Sequence, residues 1–267
     1  MVASGIAVAA AFMVMAISNV MASKKLFGGK DNKELSDENP TYLSPDGATF
    51  AIWGMIYLLE LLLVVAQLFH GDELMERRCP LTGLSVRDRL VLAFLANALW
   101  LPVFNNEKFW AAMVIILVYL GFLLSVYSDV NMGTTHGIYE HLCLAAGIAM
   151  NTSWLVVASC VSGFLTLGRV GWRTDGVAGS VPAAALVIFI VMLLACQRAV
   201  LQCDLAWAFV AAWALRGIYR MQTVPDKVRF PLAAMNSNLG QIAKTCSYLV
   251  VLTMLGAAAY YFKSSNL

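Results

Sequence analysis

Ser44-Pro-Asp-Gly-Ala-Thr-Phe-Ala-Ile-Trp-Gly-Met-Ile-Tyr-Leu-Leu-Glu60, continued by Leu61-Leu-Leu-Val-Val-Ala-Gln-Leu-Phe69, is the stretch that decides the fold. From about residue 48 it is apolar for roughly the 20 residues that a membrane-spanning helix requires. Phe50, Trp53, Tyr57, Glu60, Val64 and Gln67 recur at steps of three and four, so they share one helical face. That face carries three aromatics, a carboxylate and an amide. The opposite face is plain Ile, Leu and Val, which suits lipid.

Glu60 is the one acid that falls near the middle of a predicted span. A carboxylate at the bilayer centre costs roughly 2.5 kcal/mol or more on insertion scales. It must therefore face the interior of a bundle. Two roles stay open for it: contact with a ligand or a proton, or an interhelical hydrogen bond that only holds helices together. Its partner stays open; Asn97, also mid-span, is a candidate.

The rest of the 267 residues read the same way: 60% are hydrophobic and 13% charged. Soluble domains carry about 45–50% apolar and about 25% charged residues. A soluble enzyme with one tethering helix, a disordered regulator and a disulfide-rich secreted domain are all excluded. The net charge of +2 gives no ground for nucleic-acid binding. Cys79, Cys143, Cys160, Cys196, Cys203 and Cys246 form no C-x-x-C pair and read as small apolar residues. His70, His136 and His141 form no H-x-x-x-H pair, so no metal site is expected.

Apolar runs bounded by charges, Gly and Pro place helices at about 3–22, 48–70, 89–104, 109–128, 138–165, 181–202, 205–221 and 243–262. The first is read as a retained helix, since it has no basic stretch before it. The expected fold is all-α, a polytopic bundle of seven to eight helices forming one integral membrane domain over 1–267. A sheet is excluded, because open edges cannot face lipid, and a barrel because the runs do not alternate. Within the connection 23–47, the section 37–45 should be ordered by Pro40 and Pro45; the connection 222–242 carries Pro225 and Pro231. Short links at 105–108 and 202–204 predict two antiparallel helix pairs. Pro102 should kink its helix or end it early. Counting Lys and Arg in the loops places the N-terminus away from the cytosol.

Two further helices pair an indole with an amide. Asn97, Trp100 and Phe104 share a face, as do Gly147, Asn151, Trp154 and Ala158. Three helices offering Trp beside a polar group could enclose a flat, partly polar ligand. Packing and interhelical hydrogen bonds are the alternative explanation. Arg216 and Arg220 read as snorkelling side chains, and Trp207 and Trp213 as interfacial belt residues.

Pro45…Phe50-x-x-Trp53-x-x-x-Tyr57, followed by Ala96-Asn97-Ala-Leu-Trp100…Phe104, resembles the translocator protein family, also called the tryptophan-rich sensory protein or peripheral benzodiazepine receptor family. The chain is most similar to its longer tryptophan-rich relatives, through Asp204…Trp213-Ala-Leu-Arg-Gly217-Ile218. The resemblance implies a five-helix core, here about 1–165, with additional helices over about 180–267. It also implies a site for flat, lipophilic molecules such as porphyrins and sterols, lined by Phe50, Trp53, Tyr57, Asn97 and Trp100. Light-dependent porphyrin degradation comes with the resemblance for some members. The helix at 138–165 departs from the family pattern: Gly147-Ile148 stands where a Gly-Trp or Ala-Trp pair is usual, with Trp154 later.

The expected function is a receptor or sensor that binds a porphyrin- or sterol-class ligand. Phe50, Trp53, Tyr57, Glu60, Asn97, Trp100, Asn151 and Trp154 are the ligand-binding residues, with no catalytic residue, no metal and no required cofactor. The expected partners are the bilayer, a lipophilic small molecule, and a second copy or subunits of a membrane complex. The alternatives are a small secondary transporter using Glu60 as a proton-coupled site, and a structural subunit of such a complex.

Overall fold

The computed structural model of the chain describes residues 4–69, 72–131, 141–224 and 230–264. His70, His136, the start of the fifth predicted helix and Pro225 lie outside the described residues. Among those described, eight long helices stand where the sequence places them. They are α1 (Gly5–Ser23), α3 (Ile52–Phe69), α5 (Val86–Asn105), α6 (Phe109–Asn131), α7 (Ala146–Gly168, after a π-helical turn at His141–Ala145), α8 (Val181–Gln202), α9 (Leu205–Thr223) and α10 (Ser237–Ser264). Two short helices, α2 (Asn32–Glu38) and α4 (Asp72–Glu76), lie in the connections.

Six of the long helices are long and apolar enough to cross a membrane; α5 and α9 carry too many polar residues to qualify by composition. The outward faces of these helices leave large apolar side chains uncovered. On α3 these are Met55, Leu58, Leu61, Leu62, Val65 and Leu68, the face read as suited to lipid. Such a surface in water would drive aggregation; in a bilayer it is the surface that lipid covers. The protein is an integral multi-pass membrane protein.

The chain divides into two compact units, 1–32 with 53–155 and 33–52 with 156–267. In the first unit α1 packs on α5, and α5 on α6. Phe12 of α1 meets Phe94 of α5 edge to face, with ring centroids 5.4 Å apart. α5 starts three residues before the predicted boundary, because Ser85 and Asp88 form a reciprocal capping box. Its first turn holds Arg89, which is 1% exposed. That guanidinium donates to the Asp129 carboxylate (2.5 Å), to Ser125 Oγ (2.7 Å) and to the carbonyls of Ser85, Arg77 and Ser125. Its charge and its N–H groups are thereby matched without solvent.

Pro102 does not end α5, which runs on to Asn105. Proline supplies no N–H to the carbonyl four residues earlier. That carbonyl, Ala98 O, instead accepts the Ser18 hydroxyl of α1 at 2.9 Å.

In the second unit α8, α9 and α10 pack on one another. The tight link at 203–204 is built by Cys203 in the left-handed region (φ 50°) and by Asp204, whose side chain caps α9 through Trp207 N at 2.9 Å. α10 begins at Ser237, ahead of the predicted 243, because the Asn236 side chain accepts from Leu239 N (2.8 Å) and carries the helix through a polar first turn. The section 37–45 is ordered, as its two prolines predict: Thr41, Tyr42, Leu43 and Ser44 are buried. The exclusion of strands needs one correction. Arg173–Thr174 pairs with Val177–Ala178 as a two-residue antiparallel ladder in the connection between α7 and α8.

Candidate functional site

The first unit contains a chain of polar groups to which each of its five long helices contributes. Asn19 of α1 donates to Asn97 Oδ1 of α5 at 3.0 Å. The Tyr57 hydroxyl of α3 donates to Asn19 Oδ1 at 2.8 Å. Asn97 also interacts with the Tyr57 and Tyr119 hydroxyls. Asn151 of α7 donates to the Tyr119 hydroxyl of α6 at 2.6 Å and to Glu60 Oε1 of α3 at 2.5 Å. Glu60 and Asn151 are 0% exposed.

The stripe on α3 positions Glu60 one turn beyond Tyr57, and Gly147 lets α7 reach it. A Cβ at Gly147 would lie 2.9 Å from both Glu60 N and the carbonyl carbon of Leu59. Only a glycine lets the two backbones approach so closely. Four residues on, Asn151 faces Glu60; seven residues on, Trp154 meets Trp53 edge to face, with centroids 6.0 Å apart. Trp53 in turn stacks on Tyr57 at 5.1 Å. The Gly147, Asn151, Trp154 stripe is therefore the surface of α7 that binds α3.

The partner of Glu60, left open by the sequence, is Asn151 rather than the candidate Asn97; the two amides occupy different links of the same chain of bonds. Asn19 and Tyr119 belong to the network and were not foreseen. Asn19 follows an apolar run, and its amide is the signal that marks it. Tyr119 sits in Val114-Ile-Ile-Leu-Val-Tyr119 and gives no sequence signal that separates it from a lipid-facing aromatic.

Trp53, Tyr57, Glu60, Asn97, Asn151 and Trp154 come together in the first unit. Trp100 stacks on Phe104, with centroids 4.6 Å apart. Phe50 belongs to the second unit. Five buried polar atoms of the first unit have no hydrogen-bond partner among the described residues: Asn32 Oδ1, Glu60 Oε2, the Trp100 indole nitrogen, Asn105 Oδ1 and Asn151 Oδ1. A sealed acceptor without a donor is destabilising by about 1–3 kcal/mol. Glu60 Oε2 and Asn151 Oδ1 belong to residues already bonded to each other, so the two unsatisfied atoms mark one polar spot in the first unit. Among the described residues no group of His, Cys, Asp and Glu is arranged to hold a metal.

The second unit corrects the reading of α9. Trp207 is 4% exposed, so it is a core residue and not an interfacial one. Trp213 donates its indole N–H to Thr49 O at 2.9 Å. Arg220 pairs with Asp46 at 2.9 Å, and Asp46 also accepts the Thr49 hydroxyl. A Cβ at Gly217 would collide with Thr49 and Pro45, so Gly217 lets this connection lie against α9. Asp204…Trp213-Ala-Leu-Arg-Gly217-Ile218 thus owes its residue types to packing: a cap, an indole donor and a close-approach glycine.

No curated protein and no solved structure matches the chain. The family model described as TSPO-like protein matches residues 5–260, through all eight long helices. The chain belongs to the TSPO-like protein family.

Proposed function

We propose that the protein is a membrane receptor for a flat, lipophilic ligand of the porphyrin or sterol class, held in the first unit beside Glu60, Asn151, Trp53, Tyr57 and Trp154. The observation that carries this reading is the pair of sealed, partnerless acceptors, Glu60 Oε2 and Asn151 Oδ1. A ligand here must be apolar over most of its surface and must donate at least one hydrogen bond. A porphyrin donates from its pyrrole N–H groups and a sterol from its hydroxyl. The half-buried faces of Trp53 and Tyr57 offer π surface to a flat ring system. The chain's own residues supply orientation and exclusion of water; family membership supplies the ligand class.

Titration of the purified protein in detergent with protoporphyrin, read by tryptophan fluorescence, tests the reading. Saturable quenching is expected, weakened by about tenfold in Glu60→Leu, which removes the acceptor. Quenching that never saturates, or that is identical in both proteins, is partition into the micelle and refutes it.

A further inference from the structure

The second unit contains a cationic cluster that the site above does not use. α8, α9 and α10 contain no Asp or Glu at all, while α9 carries Arg216 and Arg220, and α10 carries Lys244 and Lys263. Arg220 is neutralised by Asp46. Arg216 and Lys244 have no carboxylate partner among the described residues. Instead they share two rings. The Arg216 guanidinium carbon lies 4.6 Å from the Tyr219 centroid and 5.9 Å from that of Tyr248. Lys244 Nζ lies 5.3 Å and 5.9 Å from the same two rings. One guanidinium nitrogen, Arg216 Nη1, is sealed from solvent with no acceptor.

Two like charges on facing helices, each against the same tyrosines, repel one another unless an anion joins them. Cation–π contact offsets only part of that repulsion. The depth of the cluster identifies the anion's surroundings. Between Lys244 and Lys263 lie 18 residues without a charge. At 1.5 Å per residue the two lysines are about 28 Å apart along the helix, close to the roughly 30 Å of a hydrocarbon core. Lys244 therefore sits at headgroup level, where tyrosines concentrate.

We infer that Arg216 and Lys244, framed by Tyr219 and Tyr248, bind a phosphate group at the membrane surface. The planar guanidinium offers two parallel N–H groups to phosphate oxygens, and the ammonium supplies the second charge. The phosphate comes from an anionic lipid headgroup or from free phosphate, and the experiment separates the two.

Native mass spectrometry of the full chain in mild detergent, titrated with phosphatidylglycerol, with phosphatidylcholine and with inorganic phosphate, reads the site directly. Wild type is expected to retain phosphatidylglycerol about tenfold better than phosphatidylcholine. The doubly substituted Arg216→Gln/Lys244→Gln protein is expected to lose that preference, and Lys263→Gln to keep it. Arg216→Lys preserves the charge and is expected to retain most of the preference, which guards against a folding defect in the neutral variant. If inorganic phosphate binds and displaces the lipid, the site stands and its natural occupant is soluble. No preference in the wild type, or a preference that survives the double substitution, overturns the proposal.

Discussion

Asn151 donates to Glu60 at 2.5 Å, across 91 positions of sequence, with both side chains sealed from solvent. The bond makes the two residues one unit, so their substitutions should not be additive. Asn151→Leu leaves a buried carboxyl group without its donor and is expected to destabilise the protein by about 1–3 kcal/mol. Glu60→Gln keeps an acceptor for Asn151 and adds a donor for the vacant Asn151 Oδ1. It is expected to be neutral or stabilising in the thermal unfolding curve. Equal losses in both variants would contradict the assignment of the pair.

The Ser18 hydroxyl replaces the hydrogen bond that Pro102 cannot make. Ser18→Ala is expected to cost about 1 kcal/mol in the native background. In a Pro102→Ala background the backbone N–H returns, and the same change should cost clearly less. A double-mutant cycle with no coupling would show that the hydroxyl is not a substitute for the lost donor.

The close-approach glycines should separate cleanly from the open ones. Gly147→Ala drives a methyl group against the α3 backbone and is expected to cost about 1–3 kcal/mol. Gly54 and Gly121 have nothing within 4 Å of the added carbon. At those two positions alanine is expected to be neutral or to stabilise by up to about 1 kcal/mol through helix propensity. Thermal unfolding of the three variants in one detergent ranks them.

Cys79 lies outside the spanning helices, and hydrogen bonds from Thr82 and Ser125 bring its thiol down to about 7. Burial first, and the neighbouring Asp204 carboxylate second, push the Cys203 thiol up. The thiolate is the reactive form, so the fraction available at Cys79 rises as pH passes through about 7. Alkylation by iodoacetamide at pH 7.5, mapped by mass spectrometry, is expected to label Cys79 ahead of Cys203. Thr82→Val should delay that labelling to higher pH. Faster labelling of Cys203 would contradict the prediction.

The eight helices were legible because a bilayer permits little else: apolar length and a period of 3.6 residues suffice. The stripe through Trp53, Tyr57 and Glu60 was legible for the same reason, since an acid inside a span must turn inward. What spacing cannot give is which helix the stripe meets. Asn97 and Asn151 are equivalent as mid-span amides, and only Gly147, by admitting the α3 backbone, selects Asn151. Tyr119 was illegible because a tyrosine in an apolar run is as common at a lipid-facing position. The buried role of Arg89 was illegible, since its partners Asp129 and Ser125 lie on another helix. The early start of α5 could have been read from Ser85-x-x-Asp88, a capping signal that the charged first turn concealed.

In the proposed receptor a ligand donates a hydrogen bond to the vacant Glu60 oxygen. Infrared difference spectroscopy of the protein with and without protoporphyrin tests it most directly. The account predicts a shift of a carboxyl band on ligand binding, absent in Glu60→Gln and altered in Asn151→Leu. A bound ligand that leaves the carboxyl bands unchanged, or a shift that persists in Glu60→Gln, would contradict it.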